Sequence, residues 1–276
     1  MKQKITLAHS PDADDAFMFY ALAKDLIDSG EFQFEHHLKD IQSLNIDARS
    51  EVYDVTAISF AMYPSIADRY ALLSSGASIG DGYGPLVVSR KPMAAADLDR
   101  VVVAVPGLNT SAYLGLKLFA PKAETTVMDF DQIQGAVKEG RVEAGLIIHE
   151  GQITYAGEGL HKVVDLGEWW KKETNLPMPL GGNVVRRALG KETIAKVSAI
   201  LKKSIQFSLD HRKEALEHAM SFGRGLDTPS ADRFVGMYVN DYTVDYGEKG
   251  RAAVRLFLDR AHAAGLVGKV DSYEFY

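Results

Sequence analysis

ITLAHSPDADDAFMFYALAKDLI, residues 5–27, contains the alternation that decides the fold class. The apolar run from Ile5 to His9 predicts a short strand, and the acidic turn after it suits the N-terminus of a helix expected from about Ala16 through Ile27. The chain then repeats this pattern with a strand at 32–38, a helix near 44–50 and a strand at 55–58 that ends at Ser59. This order predicts an α/β protein with a mostly parallel, helix-covered sheet.

Two breaks in this pattern predict a second domain. At 276 residues the chain exceeds the size at which one hydrophobic core usually stays undivided. Lys91-Pro92 interrupts one strand, and the proline- and glycine-rich stretch 177–182 precedes another, so we expect the chain to cross between lobes near 91 and near 181. The predicted domains are 1–90 with 182–276, and 91–181, joined by two hinge strands that leave a ligand cleft between the lobes.

The composition excludes several classes of function. With 31 Lys plus Arg against 37 Asp plus Glu and no basic run, the chain is not expected to bind nucleic acid or an anionic membrane. The absence of cysteine excludes disulfides, thiolate metal sites and cysteine nucleophiles. The basic residues Lys2 and Lys4 are followed by Asp12 before an apolar signal segment develops, so we expect a cytoplasmic protein.

His149 is the strongest candidate for a catalytic residue. It follows the buried-type strand 144–148 within VEAGLIIHE, residues 142–150, and the carboxyl ends of strands in open α/β folds face the ligand crevice. A neutral imidazole, with a pKa of about 6.5, accepts a proton at cellular pH. The structural alternative is a histidine held by a backbone carbonyl at a strand end. His9 also ends a strand, but the turn directly after it makes a structural role at least as plausible.

Hydroxyl-bearing residues follow two other strands. Ser59, Thr110 and Ser111 lie just after apolar runs, where hydroxyls commonly bind small polar ligands. No Gly-x-Ser-x-Gly elbow supports any of them as a nucleophile. The strand, glycine turn and helix around 101–112 also form the arrangement that offers backbone N–H groups to an anion.

The acidic cluster of Asp12, Asp14 and Asp15 allows more than one interpretation. A magnesium site or an aspartyl nucleophile of the haloacid-dehalogenase type are both conceivable. The second needs a threonine where Ala16 stands, and no matched carboxylate cluster accompanies the first. Helix capping and compensation of the helix dipole are therefore the favoured roles, with no metal site predicted.

Taken together, these segments resemble the 1,4-dihydroxy-6-naphthoate synthase family of the futalosine route to menaquinone. The matching segments are SP at 10–11 with Asp15, FMFYAL at 17–22, GPLVV at 84–88, VPG at 105–107 with Thr110, Ala112 and Tyr113, EAGLIIHE at 143–150, VVDLG at 163–167, WW at 169–170 and YVN at 238–240. They extend over nearly the whole chain in a fixed order, which makes a chance resemblance improbable.

The resemblance implies a fold, a reaction and a set of site residues. The fold is that of type II periplasmic binding proteins, with two α/β lobes around a deep cleft. The reaction is the lyase-type conversion of cyclic dehypoxanthine futalosine to 1,4-dihydroxy-6-naphthoate without a cofactor. The resemblance makes His149 the general base and assigns the substrate-binding positions Asn45, Thr56, Ala57, Ile58, Ser59, Thr110 and Ser111. The expected partner is a small carboxylate, and the protein is expected to be a monomer or weak homodimer.

One departure from the family pattern bears on the substrate. The family has Ser-Pro-Cys-Pro-Asn-Asp-Thr where this chain has SPDADDA at 10–16, so the loop gains carboxylates and loses an amide and a hydroxyl. The loop therefore leaves the exact substrate open, with a related naphthoate isomer or another branch of the family as alternatives. Two other functions also stay open beside the synthase. One is the sister enzyme chorismate dehydratase, whose usual N-terminal segment is missing here, and the other is a solute-binding protein for a small carboxylate.

Overall fold

The computed structural model describes residues 2–222 and 227–276. Its strands, in chain order, are β1 Gln3–His9, β2 Phe32–Leu38, β3 Val55–Ser59, β4 Tyr70–Leu72, β5 Ser78–Gly80, β6 Leu86–Ser89, β7 Val102–Val105, β8 Glu124–Val127, β9 Ala144–Ile147, β10 His161–Asp165 and β11 Met178–Arg186. Its α-helices are α1 Ala13–Met18, α2 Tyr20–Ala23, α3 Ile41–Ala48, α4 Ser111–Phe119, α5 Ile133–Glu139, α6 Gly151–Thr154, α7 Leu166–Thr174, α8 Lys191–Asp210, α9 Arg212–Met220, α10 Thr228–Tyr238, α11 Asp241–Val244 and α12 Gly247–Ala263.

The strands form two sheets, one in each lobe. The first has the order β2-β1-β3-β11-β4, with β5 also paired to β11, and the second has the order β10-β6-β9-β7-β8. The chain enters the second lobe between β5 and β6 and returns along β11. Two separate stretches of chain therefore connect the lobes, as expected for a cleft between hinged halves.

The prediction of mostly parallel sheets was wrong, because both sheets are mixed. β1 pairs in parallel with β2 and β3, and β7 pairs in parallel with β8 and β9. β11 runs antiparallel to β3, β4 and β5, and β6 runs antiparallel to β9 and β10. β6 is the first strand after the chain enters the second lobe, and β11 is the first strand after it returns to the first lobe. The position of each crossing therefore sets the direction of the strand that follows it.

The strand Leu86–Ser89 lies in the second sheet, although the predicted boundary at residue 90 put it with the first lobe. The chain changes sheets before this strand, in the glycine-rich segment 81–85, and not at Lys91-Pro92. The domain ranges 1–90 with 182–276 and 91–181 stay a prediction.

Helix and strand limits differ from the predicted ones at several places, most clearly in the following elements. The helix expected over 16–27 is divided into α1 and α2, with Phe19 at the break. β11 begins at Met178, inside the stretch predicted as irregular. The sequence after residue 191 also has helical patterns, one of which predicts a helix over 211–223. The structure has α9 at Arg212–Met220 in this region, and residue 223 lies outside the described residues.

Both lobes share a continuous apolar core near the start of α4. Side chains from the first lobe, such as Phe60 and Tyr246, belong to the same buried cluster as Leu114, Leu116 and Val103 of the second lobe. Burying side chains of this size contributes roughly 1.5–3 kcal/mol each. This cluster fixes the start of α4 against the first sheet, which brings the ends of β3 and β7 to the same cleft.

Candidate active site

A cavity lies between the lobes at the carboxyl ends of β1, β3 and β7. The space between the atoms, including the solvent at its mouth, is ≈ 780 Å³. The lining residues come from both lobes and are Ser10, Asp12, Asp14, Asp15, Ile41, Ala57, Ile58, Ser59, Gly76, Ser78, Pro85, Thr110, Ser111, Ala112, Ile148, Gln152, Leu180, Gly181, Gly182, Phe234 and Tyr238.

Ser59 is held at the cavity wall by Asn45. The Asn45 side chain is fully buried; its Oδ1 accepts the Ser59 backbone N–H at 2.9 Å, and its Nδ2 donates to the Ser59 hydroxyl oxygen at 3.1 Å. The same Nδ2 lies 3.4 Å from the carbonyl oxygen of Asn109 in the second lobe. A hydroxyl that accepts this bond can still donate its own proton, so Ser59 presents an O–H group to a ligand.

The start of α4 forms the second-lobe side of the cavity. The Thr110 hydroxyl donates to the Gly107 carbonyl at 2.8 Å and accepts the Tyr113 N–H at 3.2 Å, so its main role is to cap the helix. Ser111 accepts the Ala61 backbone N–H of the first lobe at 3.2 Å. The first N–H groups of an α-helix have no carbonyl partner within it, and those of Ser111 and Ala112 belong to residues that line the cavity.

Gly107 is required for the close approach of the two lobes at this point. Its φ of 156° is left-handed, and a Cβ there would overlap the side chain of Gln42 in α3. The approach also allows Arg49 to donate to the Asn109 side chain at 3.0 Å. The turn that precedes α4 is thus positioned by the first lobe as well as by its own strand.

The structure brings most of the predicted substrate-binding residues to this cavity. Ala57, Ile58, Ser59, Thr110 and Ser111 line it. Thr56 is fully buried and donates to the Ala57 carbonyl, and Asn45 is buried behind Ser59, so these two support the wall from behind.

His149 lies one residue beyond the cavity-lining Ile148, with 12% of its side chain exposed. Its Nε2 is 3.1 Å from the Phe130 carbonyl oxygen, and its Nδ1 is 3.0 Å from the Gly151 nitrogen. Because a carbonyl oxygen only accepts and a backbone N–H only donates, the proton must lie on Nε2 and the basic lone pair on Nδ1. The ring is therefore fixed as one neutral tautomer, with the Gly151 N–H directed at the nitrogen that can take up a proton.

Sequence reasoning missed the acidic wall of the cavity, which it interpreted as helix capping. Asp15 accepts the Ser10 backbone N–H at 2.7 Å, and burial raises the pKa of its carboxyl to about 6. The pKa of Asp14 is raised well above its usual value by burial first and then by the negative charges of Asp15, Asp12 and Glu150. At neutral pH this wall thus contains an ionised carboxylate beside a carboxyl that tends to stay protonated.

Two further cavity residues, Gln152 and Tyr238, were not predicted as site residues, although Tyr238 belongs to the YVN segment at 238–240 that carried part of the family resemblance. The Tyr238 hydroxyl of α10 donates to the Gln152 Oε1 of α6, which joins the lobes across the cleft. The Gln152 Nε2 donates to the Ile147 carbonyl at 3.1 Å. Residues 152 and 238 are 86 positions apart, so their contact depends on how the two lobes pack against each other.

His9 has a structural environment. It is 4% exposed, its Nδ1 donates to the Ser10 carbonyl at 3.0 Å, and burial followed by the neighbouring His36 lowers its pKa to about 3. Within residues 2–222 and 227–276, no group of three His, Asp or Glu side chains is arranged to hold a metal ion. In the same part of the chain, no helix is both long and apolar enough to span a membrane.

Two solved structures support the fold. A crystal structure of an Archaeoglobus fulgidus protein superimposes with a TM-score of 0.92 at 46% identity, over 96% of this chain and 98% of that one. The alkanesulfonate-binding protein of Xanthomonas axonopodis superimposes with a TM-score of 0.72 over 98% of this chain and 96% of its own, at only 10% identity. The second likeness confirms the predicted two-lobed, periplasmic-binding-protein-like α/β fold.

Sequence comparison identifies the family. A family model described as menaquinone biosynthesis matches residues 5–263. The 1,4-dihydroxy-6-naphthoate synthase of Thermus thermophilus is 39% identical over 264 residues, which is 96% of each chain. The enzyme of the same name from Streptomyces coelicolor is 39% identical over 269 residues, covering 95% of this chain and 94% of its own. Because the similarity extends over nearly the full length, the chain belongs to the menaquinone biosynthesis family, as the sequence motifs predicted.

Proposed function

We propose that this protein is a 1,4-dihydroxy-6-naphthoate synthase, a lyase that converts cyclic dehypoxanthine futalosine to the naphthoate. The relatives named for this product support the assignment. The observation that carries the mechanism is a histidine held in one tautomer at the end of β9, one residue from the wall of the cavity between the lobes.

In this proposal His149 is the general base. The Phe130 carbonyl keeps the proton on Nε2 and would stabilise the imidazolium that forms when Nδ1 takes a proton from the substrate. The Gly151 N–H is directed at Nδ1, so this contact must be broken when Nδ1 takes up the substrate proton. Loss of the proton then drives elimination of the sugar-derived portion, and aromatisation of the second ring favours the products.

The substrate carboxylate binds at the start of α4 in this proposal. The Ser111 and Ala112 N–H groups lie at the positive end of a nine-residue helix, and the Ser59 hydroxyl faces the same cavity. None of the described cavity-lining residues is Lys, Arg or His. The carboxylate is therefore held by N–H and O–H donors, which also suit oxyanion charge that develops during proton removal.

The test is turnover of cyclic dehypoxanthine futalosine by the purified protein, followed by mass spectrometry of the naphthoate. His149→Asn should abolish product formation, while the substrate still raises the melting temperature of the variant. His161→Asn, on an exposed strand position, is the matched control and should retain the wild-type rate. Wild-type turnover by His149→Asn would disprove the general-base assignment, and the absence of naphthoate from the wild-type reaction would disprove the function itself.

The shared fold makes a solute-binding protein the main competing function. Such a protein would bind a small carboxylate in the same cavity and release it unchanged. A bound but unaltered substrate in the mass spectrum, with no naphthoate formed by wild type, is the result that would favour it.

A further inference from the structure

Asp14 is directed away from its own helix and toward the cavity. Its Oδ2 accepts from the Ser78 hydroxyl in β5 at 3.4 Å, although the two residues are 64 positions apart. Both residues line the cavity, together with Asp12, Asp15 and Ser10 of the same turn. A residue that served only the dipole of α1 would not need a partner on another strand.

The hydrogen bonds of the cavity wall form two separate sets. One set joins Ser59 and Ser111 to Asn45 and Ala61 and offers N–H and O–H donors. The other set contains the carboxyls of the 12–15 turn with Ser78, and Glu150 of the second lobe adds negative charge to it. A substrate carboxylate is attracted by the first set and repelled by the second.

The substrate also has a part that is uncharged and rich in hydroxyls. Once its carboxylate lies at Ser59 and Ser111, this sugar-derived part has to face the acidic wall. Carboxyl oxygens accept hydrogen bonds from hydroxyls, and a protonated carboxyl also donates one. Within the turn, the Asp15 carboxylate is already used by the Ser10 N–H. Asp14 has the greater remaining capacity, because its hydrogen bond from Ser78 is long, at 3.4 Å.

We propose that Asp14 is the residue that recognises the hydroxylated, sugar-derived part of the substrate and so determines its specificity. This proposal rests on the proposed function, because the product naphthoate lacks the part in question. Asparagine also donates and accepts hydrogen bonds, whereas an apolar residue of similar size does neither.

The experiment compares the affinity for cyclic dehypoxanthine futalosine with that for 1,4-dihydroxy-6-naphthoate. Substrate KM is measured by mass spectrometry, and the product dissociation constant by calorimetry, for wild type, Asp14→Asn and Asp14→Leu. Asp14→Leu should raise KM for the substrate by about tenfold or more, since a buried substrate hydroxyl loses its partner. Its affinity for the product should stay within about twofold of wild type, and Asp14→Asn should stay within about threefold for both.

The pH dependence provides a second readout. The groups that face Asp14 are Asp12 and Asp15 on its own turn, Glu150 from the second lobe, Tyr238 from α10 and the Ser78 hydroxyl. Deprotonation of Asp14 removes a donor and adds a charge, so wild-type KM should rise toward alkaline pH. The same curve should be flatter for Asp14→Asn, which has no proton to lose at this position.

The outcomes separate this proposal from the proposed function. Equal losses of substrate and product affinity in Asp14→Leu would overturn the proposal, because they would mean that Asp14 supports the whole cavity. Unchanged substrate KM in Asp14→Leu would overturn it as well. Failure of wild type to form naphthoate would overturn the function first. Product binding by Asp14→Leu shows that the variant is folded, and Asp97→Asn controls for the loss of a carboxyl group on the exposed surface.

Discussion

Replacing Tyr238 by phenylalanine should shift the protein toward an open cleft. The Tyr238 hydroxyl donates to the Gln152 Oε1 between the lobes, and the two residues are only 4% and 7% exposed. Without the hydroxyl, a buried amide oxygen loses its donor, which costs about 1–3 kcal/mol. Water reaches that oxygen once the lobes separate, so the cost falls on the closed state alone. The ratio of closed to open molecules should therefore fall by about 5- to 150-fold.

Small-angle X-ray scattering of the ligand-free protein measures this shift as a larger radius of gyration. Tyr70→Phe is the matched control, because its buried hydroxyl donates to the Tyr53 carbonyl at 2.6 Å within the first lobe. That control should lower the urea midpoint of unfolding and leave the radius unchanged. If Tyr238→Phe instead remains as compact as wild type and loses only unfolding stability, the bond has no part in closure and the reasoning is wrong.

Two further predictions concern the residues beside the proposed base and in the acidic wall. Asp15→Asn keeps an acceptor for the Ser10 N–H and removes a carboxyl whose folded pKa of about 6 exceeds 3.8. Because this pKa is raised in the folded state, the stability that the protonated carboxyl allows is fully present below pH 3.8 and is lost as the pH rises through 6. At pH 8 the free energy of unfolding of the variant should therefore exceed that of wild type by up to about 3 kcal/mol, measured by urea denaturation. At pH 4 the two proteins should be equally stable. If Asp15→Asn and wild type were equally stable at pH 8 as well as at pH 4, this prediction would be wrong. Gly151→Ala places a Cβ in overlap with Gln134 Oε1 and 2.9 Å from His149 Cε1, so both side chains must shift. The variant should lose about 1–3 kcal/mol of stability in thermal unfolding and most of the turnover in product assays. Gly157→Ala, whose added Cβ has nothing within 4 Å, should change neither quantity.

The sequence could identify those site residues whose positions follow from the local pattern of apolar strands and turns. Ser59 is the last residue of the apolar strand β3, and Ser111 follows the short turn after β7, so the general rule about strand ends was enough to predict both at the cleft. Asn45 was assigned only through the family resemblance. Its location behind Ser59 depends on how α3 lies against the end of β3, which no local pattern specifies.

The parts that sequence could not supply depend on contacts between distant segments. The acidic turn is a good capping signal, and its direction toward the cavity becomes evident only when Ser78 of β5 lies beside Asp14. β5 itself is a three-residue strand that forms through pairing with β11, about 100 residues further along the chain. The direction of β11, which made the first sheet mixed, likewise follows from the return of the chain from the second lobe. Local propensity carries no information on any of these pairings.

The opening stretch of α6 connects closure of the cleft with the geometry of the proposed base. The Gly151 N–H is directed at His149 Nδ1, and the next residue, Gln152, donates its own N–H to the His149 carbonyl at 2.9 Å while its side chain binds Tyr238 of the other lobe. A helix of four residues cannot move one of these groups without moving the others. Entry of the substrate would therefore disturb two contacts at the same time. One is the contact between the Gly151 N–H and His149 Nδ1, and the other is the hydrogen bond from Tyr238 to Gln152 that joins the lobes. In the proposed reaction, Nδ1 of His149 becomes accessible only when a ligand occupies the cavity. Solvent is then less able to protonate the imidazole before the substrate binds.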